Sequence, residues 1–483
     1  MALNLVRNSK VFFTTNVDAT TGKVNATGFS NTNTYEIQVL EGFSFSQSTN
    51  NDTVTIMEAG AAPVRGQRSF NTSLAPVDFS FSTYLRPKNI TTAISAEESV
   101  LWNAMFSTAG TDTAAVTVGG TISGVTYAFA SGVGTITIAG TSLTAVGVSV
   151  GDIVVLSGLT ATPSSNDPYM NAAATVASIS GTSITLTLVN PVTSATTLTQ
   201  SSLKFYKSAW APVKAGYSYT SSAASDKHQL LKFGMIFIVD QVAYAVDNAA
   251  MGQVTIDFGL DAIATAAWTG QATSLRQVST NLVASGGSFS GSGITGSYLQ
   301  KVTDAAYITN KLSTVALTLV NSLKDSTGTT QGAAGDTYAI PITGGSITIN
   351  NNITYLTPAN LGVVNTPVAY YTGTRAVSGT LNAYLRTGGT RDTGELLADM
   401  LAAASVTIEP MAALAISIGG GANTVKVVLD MPATVLQIPT VDVQQVVSTA
   451  INFTAEGYVP SSTADANAYD LTKTNDIAVR YYA

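Results

Sequence analysis

The chain is dominated by short segments in which apolar and polar residues alternate. "YEIQVLEGFSFSQ" (35–47), "VDFSFSTYL" (77–85) and "AVSGTLNAYL" (376–385) have this period of two and are rich in β-branched and aromatic residues, as half-buried strands are. Helical periodicity is clear in two segments, 95–109 and 392–404. The pattern predicts a mainly β protein with two helices.

Each predicted helix has a capping pattern at its start. In "SAEESVLWNAMFSTA" Ser95 is followed three residues later by Glu98, and in "DTGELLADMLAAA" Asp392 is followed by Glu395. This spacing lets each side chain bind a free backbone N–H of the first helical turn. Apolar residues then recur along one face of each segment, so we expect both helices to pack against a sheet.

A tripeptide marks a repeat. "YLR" at 84–86 recurs 300 residues later at 384–386, and a predicted helix follows each copy about ten residues on. A third match pairs "TAAWTGQ" (265–271) with "TAINFTAEG" (449–457) at an offset of 185. The sequence therefore predicts a duplication in which the first copy contains about 115 extra residues (300 less 185).

The extra residues form a segment of unusual composition. Between Asp112 and Lys204 the charged residues are Asp152 and Asp167 alone, and short apolar strands alternate with Gly/Ser turns. This alternation of short strands and turns predicts a small inserted all-β domain, either a barrel or a sandwich. The predicted organisation is a discontinuous first copy (1–110 and 218–277), an inserted β-rich domain (111–217), a flexible Gly/Ser-rich linker (278–298), a second copy (299–460) and a C-terminal arm (461–483).

Composition favours a subunit of an assembly. Only 11% of residues are charged, against about 25% in ordinary soluble proteins, and the mean hydropathy is +0.26. No apolar run approaches the roughly 18 residues of a membrane-spanning helix, and the N-terminus lacks the apolar core of a secretory signal. A net charge of −7 argues against a basic surface that binds nucleic acid. The absence of cysteine excludes disulfides and thiol chemistry.

The search for a catalytic site finds little. His228 is the single histidine, and it has no cysteine or second histidine with which to form a metal site or a triad. Residues 291–296 match G-x-G-x-x-G inside the predicted linker, without the strand and helix that a dinucleotide site needs. Glu97 and Glu98 fit the preference of a helix start for negative charge. We therefore predict no enzyme activity, no cofactor and no metal.

Several segments resemble the tail tube proteins of T5-type long-tailed bacteriophages. They are "YAIPITGGSITINNNITYLTP" (338–358) and residues 48–87, and the similarity extends to "LNLVRNSKVFF" (3–13) and "YITNKLSTVALTL" (307–319). The similarity covers most of both predicted copies and leaves the inserted segment unmatched.

The resemblance implies two tube domains, each a β-sandwich or barrel with one flanking helix. It further implies that three subunits form a ring of six quasi-equivalent positions, and that rings stack around a channel for DNA ejection. The protein would then be a virion structural protein of the tail, assembled in the host cytoplasm. Its partners would be further copies of itself, the tape-measure, tail terminator and baseplate proteins, and passing double-stranded DNA, with no membrane segment.

The resemblance also suggests contact residues. A long segment between two predicted strands in each copy, 58–70 and 355–372, is expected to form a hairpin that reaches the neighbouring ring. Replacing both Arg65 and Arg68 with glutamate should then alter tube length or stability. The residues expected at contacts are Arg65, Arg68, Tyr355 and Asn360 between rings, and Arg86 and Arg386 between subunits of one ring.

The sequence is also compatible with two other functions. A phage head-decoration or baseplate protein would share the β-rich, charge-poor composition. A secreted β-rich glycan-binding protein would use aromatic residues such as Phe79 and Phe81 as a platform, although residues at this period-two spacing more often pack in a core.

Overall fold

The computed structural model describes most of the chain. The described residues are 9–54, 68–90, 93–106, 115–130, 133–145, 150, 153–166, 170–171, 173–188, 191–207, 230–240, 242–260, 262–278, 283–290, 294–301, 307–361, 363–407, 410–419, 426–443, 445–456 and 476–482.

The mainly β fold with two helices is confirmed. Before the insertion the elements are β1 (Ser9–Thr14), β2 (Thr34–Ile37), β3 (Ser44–Ser46), β4 (Thr49–Val54), β5 (Arg68–Leu74), β6 (Val77–Tyr84), β7 (Pro87–Ile90), β8 (Ala93–Ala96) and α1 (Ser99–Phe106). Next come β9 (Ala115–Ala130), β10 (Val133–Ala145), β11 (Ile153–Thr162), a 3-10 turn (Ser164–Asn166), β12 (Ala173–Ile179), β13 (Ser183–Leu188) and β14 (Thr197–Lys207). They are followed by β15 (Phe233–Val239), β16 (Val242–Gly259), β17 (Thr265–Ala272), β18 (Ser274–Gln277), β19 (Val283–Ser285), β20 (Ser288–Ser290) and β21 (Gly296–Ser297).

The second half begins with a 3-10 turn (Asn310–Leu312). It continues with β22 (Thr314–Leu319), β23 (Leu323–Lys324), β24 (Thr330–Gly332), β25 (Thr337–Ala339), β26 (Ile342–Asn350), β27 (Ile353–Leu356), β28 (Ala369–Thr372), β29 (Ala376–Tyr384), α2 (Thr393–Ala403), β30 (Met411–Gly419), β31 (Lys426–Leu436), β32 (Thr440–Asp442), β33 (Ser448–Ala455) and β34 (Ala478–Tyr482).

The two halves contain the same sequence of paired strands. In the first half the order is β3-β6-β17-β16-β15-β1-β2, with every neighbour antiparallel. In the second half the order is β26-β29-β33-β31-β30-β22-β25, again antiparallel throughout. The repeated tripeptides begin at the last residues of the equivalent strands, Tyr84 of β6 and Tyr384 of β29, as the predicted duplication requires.

The last described residues belong to the second sheet. β34 pairs with the beginning of β31, with Val479 opposite Leu429, just as β18 pairs with the first half of β16. Val479 is fully buried. The end of the segment that we expected to be an arm is therefore a strand, because its alternating apolar residues complete a sheet in the position that β18 fills in the first copy.

The capping prediction holds at one helix and fails at the other. Asp392 caps α2, and its carboxylate accepts the backbone N–H of Glu395 at 2.9 Å. Ser95 instead lies in β8, and α1 begins only at Ser99. The Glu98 side chain is consequently turned into the protein, where it accepts the backbone N–H of Arg86.

The inserted domain is a closed barrel of six strands in the order β10-β13-β12-β11-β14-β9. Its interior is aliphatic, with Ile136, Ile138, Val176, Ile184 and Leu186 fully buried. Side chains of this kind fill the interior of a small barrel.

The segment 278–298, which we expected to be a flexible linker, has regular structure in its described part. It contains β19, β20 and β21, which form a small sheet of their own. Phe289 and Tyr298 are buried, and their rings lie 5.0 Å and 4.8 Å from that of Phe12 in β1. These aromatic contacts attach the described part of the segment to the first copy despite its Gly/Ser-rich composition. The domain boundaries as a set remain predictions.

Candidate functional site

The two copies are joined edge to edge through their strands. The second half of β16 pairs with β26 over seven residue pairs, from Gln253 opposite Asn350 to Gly259 opposite Gly344. The hydroxyl oxygens of Thr255 and Thr348 lie 3.2 Å apart across this junction. One hydrophobic core continues beneath both copies. The junction is therefore ordinary antiparallel sheet, even though it connects two repeats.

One face of the joined sheet is polar along its whole width. The strands lie in the order β3-β6-β17-β16-β26-β29-β33-β32. Buried residues, most of them apolar, alternate with polar or small residues that are half-buried or exposed. Side chains on the polar face include Ser44, Ser46, Asp78, Ser80, Ser82, Gln253, Thr255, Asp257, Thr269, Gln271, Ser346, Thr348, Asn350, Ser378, Thr380, Asn382, Thr440, Asn452 and Thr454.

The charges on this polar face have a single sign. Lysine and arginine are absent from the sequences of these eight strands, and their ionisable acids include Asp78 and Asp257. Partial burial raises the pKa of Asp257 above its ordinary value, and Asp78 accepts an N–H of Gln271 at 2.9 Å. The face therefore presents hydroxyls, amides and a few carboxylates, and it offers no cation to a phosphate.

Two hairpins extend from one end of this sheet. β4 pairs with β5, and β27 pairs with β28. The backbone carbonyl of Asn365 accepts the N–H of Leu74 at 2.8 Å, and its N–H donates to Thr72 at 3.2 Å. These bonds hold the two hairpins together. Exposed apolar side chains are concentrated on them, namely Phe70, Leu356, Leu361, Val363, Val364, Val368 and Tyr371.

The residues expected at contacts between rings differ in their exposure to solvent. Arg68 starts β5 and is exposed, and Asn360 is exposed in the loop between β27 and β28. Tyr355 differs from expectation, because it is only 7% exposed and its hydroxyl donates to the carbonyl of Asn248 at 2.7 Å. Its side chain thus attaches the hairpin to the first copy and is unavailable to a neighbouring ring. Arg65 lies outside the described residues.

Arg86 also differs from expectation, because it is buried within the chain. It donates to Gln38, and its guanidinium lies 4.7 Å from the ring centre of Tyr307. Tyr307 precedes the first strand of the second copy, so Arg86 stands at the junction of the copies inside one chain. Arg386 follows β29 as Arg86 follows β6, and its side chain is exposed. The contact expected of Arg386 stays a prediction.

A polar group that sequence reasoning assigned to helix capping lies between the two copies. Glu98 is 2% exposed, and its carboxyl accepts the hydroxyl of Tyr481 in β34. The Tyr481 oxygen in turn accepts the indole N–H of Trp102 at 2.9 Å. The C-terminal strand of the second copy is thereby connected to α1 of the first, a contact between residues 379 positions apart that no local pattern reveals.

We expect this group to make stability depend on pH. Burial raises the pKa of Glu98 to about 8, so the folded chain holds a proton there that the unfolded chain, with an ordinary glutamate, releases above about pH 4.3. The free energy of unfolding should therefore fall as pH rises from about 5 to 8, by up to about 1.4 kcal/mol per pH unit from this group.

Urea unfolding across this pH range measures the effect. Glu98→Gln, which stays neutral, should flatten this part of the profile relative to the unmodified chain. An unchanged slope in the Gln variant would contradict the assignment.

Among the described residues, no group of three or more His, Cys, Asp or Glu side chains is placed to hold a metal ion. No helix in the described part of the chain is long and apolar enough to cross a membrane. His228 and residues 291–293 of the glycine motif lie outside the described residues.

Comparison with known proteins gives one informative match. No protein-family model matches the chain. Tail tube protein pb6 of Escherichia phage T5 is 23% identical over 500 aligned positions, which take in 99% of this chain and 79% of the relative. The aligned region takes in almost all of this chain, so it includes the inserted segment 111–217, which the resemblance was expected to leave unmatched. The resemblance of this chain to the T5-type tail tube proteins is thereby confirmed over almost its whole length.

Proposed function

We propose that this protein is the structural subunit of a phage tail tube. The observation that carries the proposal is the edge-to-edge pairing of two like-ordered copies through β16 and β26, which yields a joined sheet with one polar face. The sequence similarity to a tail tube protein supports it. A subunit whose function is to assemble needs no catalytic site.

The proposed assembly is a ring of three chains. Each chain contributes two quasi-equivalent units, so three chains supply six units around a closed ring. Exposed Tyr384 and Arg386 would then meet the next chain, as their equivalents Tyr84 and Arg86 meet Tyr307 within this one. Fusion of two units halves the number of contacts that must form by diffusion.

The polar face would line the channel through which double-stranded DNA passes. Each lysine or arginine that neutralises a phosphate adds salt-dependent affinity, and such affinity would retard passage. A lining of hydroxyls, amides and aspartates avoids this retention. The proposed partners are further copies of the chain in the virion tail, with tape-measure, terminator and baseplate proteins at its interior and ends, after assembly in the host cytoplasm.

Electron microscopy of the purified protein tests the proposal. Negatively stained samples should contain hollow tubes or rings with three-fold symmetry. Persistent monomers at high protein concentration would contradict the tube role, and monomers that bind a polysaccharide would favour the glycan-binding alternative.

We further expect the paired hairpins to mediate stacking of rings. Leu361→Asp combined with Val364→Asp replaces exposed apolar side chains, each worth about 1.5–3 kcal/mol when buried at a contact. Tubes should become short or dissociate into rings, as measured by their length in micrographs. Charge reversal of Arg65 and Arg68 should act in the same direction.

A matched control separates apolar contact from added charge. Thr354→Asp combined with Thr366→Asp adds the same two charges to exposed positions of the same hairpin without removing apolar surface, so it should affect tube length less. Equal shortening in both double variants would show that apolar burial is not the cause.

A further inference from the structure

One end of the inserted barrel lies against the second copy. The barrel is inserted in the first copy, between α1 and β15, yet its end contacts Gly335 in the loop before β25. A Cβ atom built on Gly335 would lie 2.5 Å from Cζ of Phe129 and 2.5 Å from Cγ2 of Thr193, both in the barrel. Because a carbon–carbon bond is about 1.5 Å long, both atoms lie within the contact range of about 4 Å from the Cα of Gly335.

The end of the barrel that makes this contact is held by hydrogen bonds. Tyr127 in β9 donates its hydroxyl hydrogen to the carbonyl of Val192 at 2.5 Å and accepts the N–H of Val192 at 3.1 Å. Thr193 is the next residue of the chain, and Phe129 lies two residues after Tyr127, on the same side of β9. The two side chains that contact Gly335 are therefore presented together.

The loop of the second copy beneath them is also held in place. The N–H of Gly335 donates to the carbonyl of Leu319 at 2.7 Å. The carboxylate of Asp336 accepts the N–H of Ala333 at 2.6 Å, and it pairs with Arg391 at 2.6 Å. Gly335 has a φ of +89°, in the left-handed region that favours glycine. The glycine thus permits this turn and leaves room for the two barrel side chains.

The first copy contains a corresponding loop, between β1 and β2. In β1 and β2 the facing residues Thr14 and Thr34 share a hydrogen bond between their hydroxyl oxygens at 2.9 Å. In β22 and β25 the facing residues Thr318 and Thr337 share one at 2.8 Å. Thr34 of the first copy therefore corresponds to Thr337 of the second.

The two loops differ at the position that contacts the barrel. Two residues before the corresponding threonines, the first copy has Thr32 and the second has Gly335. Thr32 is exposed, whereas Gly335 is buried beneath Phe129 and Thr193. A side chain occupies the position in the first copy, and the second copy leaves it open for the barrel.

From this difference between the copies we propose that Gly335 is the docking site of the inserted barrel, and that Phe129 and Thr193 hold the barrel in one orientation on the second copy of its own chain. The barrel then braces the chain, because it is inserted in one copy and rests on the other. This contact forms in the isolated chain and requires no assembly, so its test is independent of the tube function.

Distances between spin labels test the docking, and the natural chain has no cysteine to interfere. One nitroxide is attached at Thr182→Cys, at the far end of β13 from the contact, and the other at Thr329→Cys in the second copy; both positions are exposed. Pulsed electron paramagnetic resonance of the full-length chain should give one narrow distance distribution. A broad distribution would overturn the docking, because the barrel would then take many orientations.

Two variants of the doubly labelled chain should release the barrel. Gly335→Thr gives the second copy the residue of the first and should broaden the distance distribution about twofold or more, because an undocked domain samples many orientations. A β-branched residue is strained at a positive φ, so a second variant leaves this loop unchanged. Phe129→Ala combined with Thr193→Arg should broaden the distribution to the same extent, and an unchanged narrow distribution in this variant would overturn the docking.

Thr126→Arg is the matched control for the barrel variant. It adds the same charge at an exposed position along β9, so the distance distribution should stay narrow. Circular dichroism of each variant should match that of the unmodified chain, as expected when the barrel remains folded. Equal broadening by Thr126→Arg would count against a specific contact at Gly335.

Chemical cross-linking distinguishes docking within one chain from docking between chains. Thr193→Cys combined with Ala334→Cys is treated with a short bifunctional maleimide. Both free thiols should be lost while the product still runs as a monomer in denaturing gels. Covalent dimers as the main product would overturn docking of the barrel on its own chain.

Discussion

Trp102→Ala should lower the free energy of unfolding by about 3–5 kcal/mol, the range for removal of a large buried aromatic residue. Trp102 is fully buried, and its ring lies edge-on to Trp268 at 4.9 Å. Its indole N–H also donates to Tyr481 at 2.9 Å. The substitution thus leaves a cavity beneath α1 and removes the polar contact that holds β34. Urea unfolding followed by circular dichroism measures the loss.

Trp102→Phe serves as the graded control for this prediction. It retains an aromatic ring in the core but removes the donor to Tyr481, so a smaller loss of about 1–2 kcal/mol is expected. A loss below about 1 kcal/mol for Trp102→Ala would mean that this contact between the copies contributes little to stability.

Arginines on the polar face should retard the passage of DNA. Thr269 and Thr454 hold equivalent positions in β17 and β33, and both are exposed. Replacement of both by arginine would place six cations around each proposed three-chain ring. We expect DNA release from phage particles with such tails to slow by about tenfold or more at low salt and to recover as salt is raised, because phosphate neutralisation is salt-dependent.

Two controls isolate the effect of charge inside the channel. Thr269→Gln with Thr454→Gln adds bulk without charge and should release DNA at close to the normal rate. Thr182→Arg with Thr329→Arg adds the same charge at exposed positions outside the eight strands and should also behave normally. If arginines in β17 and β33 leave release unchanged at low salt, this face does not line the DNA path.

Some of the architecture followed from the sequence because its signals are local. Period-two alternation identified the strands around Phe79 and Val377, and the Asp392 cap marked the start of α2. The repeated Tyr-Leu-Arg tripeptide disclosed the duplication because the same strand ends in the same way in both copies. The short apolar strands separated by Gly/Ser turns between Asp112 and Lys204 indicated a small barrel or sandwich, since both the strands and the turns are local patterns.

Other features could not be predicted because they depend on residues far apart in the chain. Ser95 and Glu98 have the spacing of a helix N-cap, but Ser95 lies in β8 and the Glu98 carboxyl contacts the hydroxyl of Tyr481. Tyr355 has the sequence context of an exposed hairpin, yet its hydroxyl reaches the backbone of Asn248. In each case a tertiary partner overrides the local signal.

The sequence by itself determined a charge-poor, mainly β chain with two helices, because alternation and helical periodicity lie in neighbouring residues, and it predicted two copies with an insertion, because the repeated residues can be compared directly. Only the tertiary structure decided that the copies join through β16 and β26, that β34 completes the second copy, and that a single polar face runs across both. Strand pairing is the reason: an edge offers the same backbone N–H and C=O groups to any partner, so the choice of partner rests on packing and register and cannot be inferred from local pattern.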